Sequence, residues 1–257
     1  MEESEKSDIS RFINIEKPYF LVPIFAVISF ILFWLGILFF SYSKIAEIYW
    51  YAFSVILALI FTYSVYSSES FRSIRVYVGS IILFYSLLIF IGTMPGYYMA
   101  KLLPDVVNQA GQTITAIRTG YTTVFSMSIA IFLNNAKIDI VSFIPFIGPF
   151  VLGIAIINTS SVVWGLSFSE LFSNNPYWFL GPFAVVIAPD TFTEFSSYIL
   201  SMIGGLYLFR ALAFSGSESS EPREKLLIKA FLYLAASLAL LYASAVLEAF
   251  LIIRFGL

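Results

Sequence analysis

The sequence contains neither cysteine nor histidine, and these two absences exclude more chemistry than any motif in the chain supports. Without them there is no disulfide, thiolate nucleophile, usual zinc site, Cys- or His-ligated haem or iron–sulfur cluster, or Ser-His relay. A carboxylate-only mechanism would need two facing acids, and no pair here forms an aspartyl-protease motif. We therefore expect a protein that is not an enzyme, with no catalytic residues, no metal site and no cofactor.

Charge is also scarce, because only 12% of the residues are charged while 60% are apolar and the mean hydropathy is +0.90. These values lie outside the soluble globular class and predict an all-α, polytopic transmembrane helix bundle within the lipid bilayer, with no room for a folded soluble domain. A net charge of -2 provides no basic patch, so charge does not indicate direct contact with nucleic acid.

Long apolar runs predict about seven membrane spans plus one re-entrant half-helix. The predicted spans are residues 19–40, 48–66, 76–92, 121–133, 140–166, 192–209 and 226–253. Residues 1–17 are polar and predict a disordered cytoplasmic tail, whereas residues 18–257 form a single transmembrane domain. No small-residue cleavage site follows the first apolar run, which indicates a retained span rather than a signal peptide.

The predicted re-entrant segment covers residues 177–190, inside a long apolar run broken by Pro182 and by Pro189-Asp190-Thr191. One helix over residues 176–210 would be far longer than the bilayer core of about 30 Å. We expect a half-helix over residues 177–188 that turns back at Pro189. Interrupted helices at membrane depth are tolerated where their backbone faces protein or a wet cavity.

Residues 97–120 carry apolar side chains at three- and four-residue spacing with polar residues between them. This pattern predicts an amphipathic helix on the outer membrane surface, bent by Pro104 and ended near Gly120. A helix packed on the protein's own outer surface fits the same pattern equally well.

The distribution of basic residues predicts the orientation, since cytoplasmic loops keep the excess of Lys and Arg. With the N-terminus inside and a re-entrant segment, only Lys44, Lys101, Arg118 and Arg254 of the 14 basic residues fall outside. A complete crossing by residues 177–188 would divide them equally. We therefore predict a multi-pass protein of the cell membrane with a cytoplasmic N-terminus.

Four polar residues fall within or beside predicted spans and form a candidate intramembrane cluster: Asn158, Asp190, Glu194 and Glu248. Ionisable groups at membrane depth indicate function by default, and this cluster could hold a cation or a proton. Structural roles are the alternative. Thr191 to Glu194 fits a capping box, and Asp190 after a proline fits a turn. Glu248 lies mid-helix, where a buried polar partner is the structural alternative.

Four features lie in order along residues 120–254. These are Asn134-Asn135 at the end of a span, an apolar segment ending Asn158 to Gly165, Pro189 and Glu194 before Tyr198 to Leu206, and Val246 to Phe250. Together they resemble the stage II sporulation protein M family of integral membrane proteins. The chain departs from that family at Asn158-Thr159, where the family has Asn-Gly, and at Pro189-Asp190-Thr191, where it has Pro-His-Gly.

The family resemblance implies a non-enzymatic membrane scaffold that, in spore-forming bacteria, anchors peptidoglycan-degrading partners during engulfment. We therefore expect a scaffold subunit of a cell-envelope complex, with other membrane or envelope proteins as partners. The alternative is a channel or transport subunit, because discontinuous helices beside polar groups serve transporters. It would move an ion, a solute or a macromolecule such as DNA or protein, driven by a gradient or an external motor such as a separate ATPase.

The cysteine-free sequence makes the predicted topology directly testable by single-cysteine labelling. Glu218→Cys lies in a predicted cytoplasmic loop, so a membrane-impermeant maleimide should label it only after permeabilisation. Tyr177→Cys, at the predicted outer interface, is the positive control. Labelling of the cysteine at position 218 in intact cells would contradict this topology.

Overall fold

The computed structural model describes residues 92–102, 104–213 and 222–255, together with isolated positions between 24 and 86. Its helices are α1 (Thr93–Leu102), α2 (Pro104–Gly120), α3 (Val124–Ser142), α4 (Ile147–Phe172), α5 (Leu180–Ile187), α6 (Pro189–Ala213) and α7 (Arg223–Phe255). No strand occurs within these residues, which confirms the predicted all-α class for this part of the chain. The predicted tail and most of the first three predicted spans lie outside it.

Four of these helices, α3, α4, α6 and α7, are long and apolar enough to cross a membrane. They confirm the expectation of long apolar helices of membrane-spanning length in the second half of the chain. The total of about seven spans stays a prediction, since three of those spans fall mostly on residues that the structure does not describe.

The first of these four helices extends beyond its predicted end. A span over residues 121–133 capped by Asn134-Asn135 was wrong, because α3 continues through both asparagines to Ser142. Its start is fixed by Thr123, whose hydroxyl oxygen accepts from the Ser126 amide at 3.2 Å. No glycine or proline follows until Pro145, so nothing in the sequence interrupts the helix earlier. The next helix, predicted over residues 140–166, accordingly begins at residue 147.

A tight turn joins α3 to α4. Phe146 has φ of 63°, a left-handed value uncommon for a residue with a side chain, and its ring meets that of Phe209 edge-on at 4.7 Å. Gly148 follows, at a position where a Cβ atom would collide with the Ser142 carbonyl. This turn brings the start of α4 directly against the end of α3.

The centre of the described fold is a bundle of α3, α6 and α7. Asp139 contacts Ser201, and one turn later Phe143 lies against Gly205, so α3 and α6 run parallel. α7 runs antiparallel to α6, because Ser244 meets the start of α6 while Ala230 meets Gly204 near its middle.

Small residues on α7 allow α3 to approach closely. Ala245 and Ala249 are buried against Met127 and Ile131 of α3 in a continuous apolar cluster. Near it the rings of Phe132 and Tyr242 meet at 5.6 Å in an edge-to-face contact.

A second close approach joins α1 to α4, which run side by side in the same direction. Gly92, just before α1, lies against Ser160, and Gly96 lies against Trp164 and Gly165. Two glycines four residues apart let helix backbones approach, as in membrane helix pairs.

Pro104 divides the predicted helix over residues 97–120, since α1 ends at Leu102 and α2 begins at Pro104. Proline suits the first position of a helix because its missing N–H has no intrahelical acceptor there. The location of this segment at the outer membrane surface stays a prediction.

The predicted interruption at Pro189 coincides with a helix boundary. α5 spans only eight residues, about 12 Å at 1.5 Å per residue, and Ala188 is extended with ψ of 126° before Pro189 opens α6. A helix of this length cannot cross a bilayer core of about 30 Å.

Gly205→Ala should destabilise the bundle, because a Cβ atom there would stand 2.5 Å from the Phe143 carbonyl oxygen. Overpacking against backbone costs about 1–3 kcal/mol. Thermal unfolding in detergent would measure this as a lower midpoint. Gly120→Ala is the matched control, since nothing lies within 4 Å of the added methyl group. Equal midpoints for the two variants would show that α3 and α6 are not in contact there.

Candidate functional site

The candidate site is a line of polar groups inside the three-helix bundle, which we call the polar seam. It comprises Asp139 of α3, Asp190, Glu194, Tyr198 and Ser201 of α6, and Ser237 and Ser244 of α7. The four α6 residues recur at intervals of four, four and three, so they share one helix face. Because α3 and α7 pack on α6, polar groups from all three helices meet along that face.

Asp139 is the only carboxylate of the polar seam that is fully buried, with 0% of its surface exposed. The Ser237 hydroxyl donates a hydrogen bond to its Oδ2 atom. The Ser201 hydroxyl donates to its backbone carbonyl at 2.6 Å. Both serines are themselves fully buried. One residue of α3 is thus bonded to both other helices of the bundle.

Glu194 and Tyr198 form the next part of the polar seam. The Tyr198 hydroxyl donates to Glu194 Oε1 at 2.7 Å, between residues one turn apart on α6. Tyr198 is 2% exposed, and its hydroxyl lies within electrostatic range of Asp139 and Glu248. Tyr198 therefore interacts electrostatically with carboxylates from three helices, α3, α6 and α7.

Asp190 occupies the first turn of α6, where its negative charge is stabilised by the helix dipole. Its backbone carbonyl accepts a hydrogen bond from Ser244 of α7 at 2.9 Å. This bond fixes the start of α6, directly after the Pro189 interruption, against the middle of α7. The Asp190 carboxylate is within electrostatic range of Glu194.

Thr191 and Glu194 do not form the capping box that was the structural alternative for Glu194. Thr191 lies inside α6 rather than at its N-cap, and the Thr193 hydroxyl bonds to the carbonyls of Pro189 and Asp190. The Glu194 carboxylate bonds to Tyr198 instead of a backbone amide. Glu194 therefore belongs to the side-chain contacts of the bundle.

The two remaining predicted residues are less closely tied to the polar seam. Glu248 is partly buried and lies one turn beyond Ser244 on α7, at the same end of the bundle as Asp190. Asn158 lies in α4, and its side chain is outside the described residues. Three of the four predicted residues are thus at one end of the α6–α7 pair.

Sequence reasoning missed Asp139, Tyr198 and the serines that bond to Asp139. Asp139 was assigned to a loop because the preceding span was ended at Asn134. A signal was present, since Met127, Ile131, Asn135 and Asp139 continue at four-residue spacing across the asparagines. Tyr198 gave no comparable signal, because one tyrosine in a sequence with 16 is not distinctive.

The polar seam offers carboxylates and hydroxyl groups, which are hard oxygen ligands. Within the part of the chain that the structure describes, no group of three or more acidic side chains converges closely enough to hold a metal ion. The arrangement suits hydrogen bonding between helices or the binding of one small positive charge.

Comparisons with protein-family models, curated proteins and solved structures find no match to this chain. The resemblance to the stage II sporulation protein M family therefore stays a prediction based on the residues quoted above.

Tyr198→Phe should destabilise the bundle, since it removes the hydroxyl that donates to Glu194 and leaves that carboxylate with one fewer partner. A hydrogen bond to a charged group contributes about 1.5–3 kcal/mol. Chemical unfolding in detergent would measure the loss. Tyr177→Phe removes the same hydroxyl from a residue that is 66% exposed and should change little. Equal effects of the two substitutions would contradict a stabilising Tyr198–Glu194 bond.

Proposed function

We propose that the protein is a non-enzymatic, polytopic subunit of a cell-envelope complex and acts there as a scaffold. The observation that carries this proposal is the use of the bundle's polar groups in contacts between helices. Ser201 and Ser237 bond to Asp139, and Ser244 bonds to Asp190. Such bonds favour one rigid arrangement of α3, α6 and α7, as a platform for partner proteins requires.

The proposed membrane topology has about seven spans, one re-entrant half-helix and a cytoplasmic N-terminus in the cell membrane. The parallel arrangement of α3 and α6 supports it. One net crossing must separate two parallel spans, and α4 with 26 residues is long enough to supply it. The eight-residue α5 would then enter the bilayer and return on the same side.

A groove between α2 and α4 supports a partner-binding role. It has a volume of about 720 Å³ and is open to the surroundings. Its α2 wall includes Asn108, Gln112 and Thr115, and its α4 wall includes Ser169 and Glu170. We propose that it holds a polar segment of a partner envelope protein, because these amide, hydroxyl and carboxylate groups can donate to and accept from a peptide backbone.

Filling the groove tests the scaffold function. Thr115→Trp places a large side chain in the groove, whereas Thr113→Trp places the same side chain two residues away, outside the groove lining. Both threonines are exposed and bond to the carbonyl four residues earlier, so the variants are closely matched. Partners that co-purify with the wild type in mild detergent should be retained by Thr113→Trp and lost by Thr115→Trp.

Reciprocal capture from the tagged partner should recover this protein, with an unrelated polytopic membrane protein at equal abundance as the background control. Equal partner recovery with both tryptophan variants would contradict the groove as the binding surface. Recovery of the wild type alone, fully active without partners, would contradict the scaffold function itself.

A channel or transport subunit is the second candidate, favoured by one observation. The Oδ1 atom of Asp139 is buried and has no hydrogen-bond partner among the described residues. Transporters use such intramembrane carboxylates for ions and protons. A channel or transport function predicts that proteoliposomes containing the wild type show ion flux. The flux should be lower with the Glu194→Gln, Glu248→Gln double variant. Unchanged flux in that variant would remove a role for these two carboxylates.

A further inference from the structure

The Asp139 side chain has one satisfied and one unsatisfied oxygen inside the bundle. Ser237 donates to Oδ2, and Ser201 donates to the Asp139 backbone carbonyl. The Oδ1 atom is buried and accepts no hydrogen bond within the described residues. A carboxylate oxygen removed from water without a donor is strongly unfavourable, so a group that satisfies it is expected.

Asp139 forms no ion pair within the residues that the structure describes. On α6 it is faced by Tyr198, which is bonded to Glu194, and Glu248 of α7 is within electrostatic range of the same tyrosine. These groups are neutral or acidic. Ionised Asp139 would therefore carry an isolated negative charge at membrane depth.

We propose that Asp139, Ser201 and Ser237 form a binding site for one monovalent cation, either a proton or a sodium-sized ion, with Asp139 Oδ1 as its acceptor. A proton would convert the carboxylate into a neutral acid. A sodium-sized ion would leave the carboxylate ionised and would be coordinated by oxygen ligands. Each serine hydroxyl keeps lone pairs after donating its hydrogen, so both can contribute such ligands.

The site joins three helices, and this determines what occupancy does. Asp139 is on α3, Ser201 on α6 and Ser237 on α7. A cation bound to the folded bundle and not to the unfolded chain stabilises the fold by mass action. Occupancy should therefore be measurable as a change in thermal stability. The inference is independent of the scaffold function, which requires partners but no ion.

The experiment measures thermal unfolding of the purified full chain in nanodiscs. One series replaces choline with Na⁺, K⁺ or Li⁺ at constant ionic strength, and a second varies pH without alkali cations. We expect the wild-type midpoint to rise with Na⁺ or to fall as pH increases. Asp139→Asn, which is uncharged and similar in size, should lose that dependence. Ser142→Ala removes a buried hydroxyl that bonds to the Ile138 carbonyl and lies outside the polar seam, so this variant should keep it.

Infrared spectroscopy separates the two cations. A carboxylic-acid C=O band that is present at neutral pH in the wild type and in Ser142→Ala, and that is weaker by one carboxyl group in Asp139→Asn, identifies a bound proton. A midpoint that responds to Na⁺ but not to choline, without such a band, identifies the metal ion. Either result supports the site.

If Asp139→Asn fails to fold, Ser237→Ala provides the test. Loss of a supporting hydroxyl should raise the cation or proton concentration needed for half-saturation by about tenfold. This is in the range known for groups that orient a metal ligand. A wild-type midpoint that responds neither to pH nor to alkali cations would overturn the proposal. So would an identical response in the wild type and the Asp139 or Ser237 variant.

Discussion

The described bundle depends on how a fully buried carboxylate is accommodated among apolar helices. Burying a charge is costly unless hydrogen bonds and an opposite charge compensate for it. Asp139 meets the first requirement in part, because Ser237 of α7 donates to one oxygen of its carboxylate. Ser201 of α6 donates to its backbone carbonyl, and the two bonds together fix the rotation and height of α3 against both helices. Apolar packing alone would leave these helices freer to slide, since lipid contacts replace helix contacts at little cost.

Close backbone contact makes those hydrogen bonds possible. A serine hydroxyl is short, so it reaches a neighbouring helix only if the helices nearly touch. Gly204 and Gly205 of α6 allow this approach to α7 and α3, with Ala230 and Phe143 as the facing residues. Glycine and serine thus act together, since one permits the proximity that the other uses.

Much of the architecture follows from the sequence, and its limits have identifiable causes. Composition alone predicted an all-helical chain with helices able to span a membrane. Pro189 alone predicted the break before α6. The end of α3 was placed wrongly because two adjacent asparagines resemble a helix terminus by composition, whereas no backbone breaker occurs before Pro145. That error also hid Asp139. The Tyr198–Glu194 bond could not be predicted from spacing alone, because many pairs four residues apart make no contact.

α7 is longer than the hydrocarbon core of a bilayer is thick. Its 33 residues extend about 50 Å against a hydrocarbon core of about 30 Å, so a crossing by α7 would leave room for its charged first turns to project into water. Lys229 lies 5.6 Å from the Tyr207 ring, an aromatic and cationic pair suited to the headgroup boundary. Ser237 follows eight residues later, about 12 Å deeper. Asp139, bonded to Ser237 and three residues from the end of α3, would then lie inside the hydrocarbon core on the side of that boundary, where a neutralising charge is favoured.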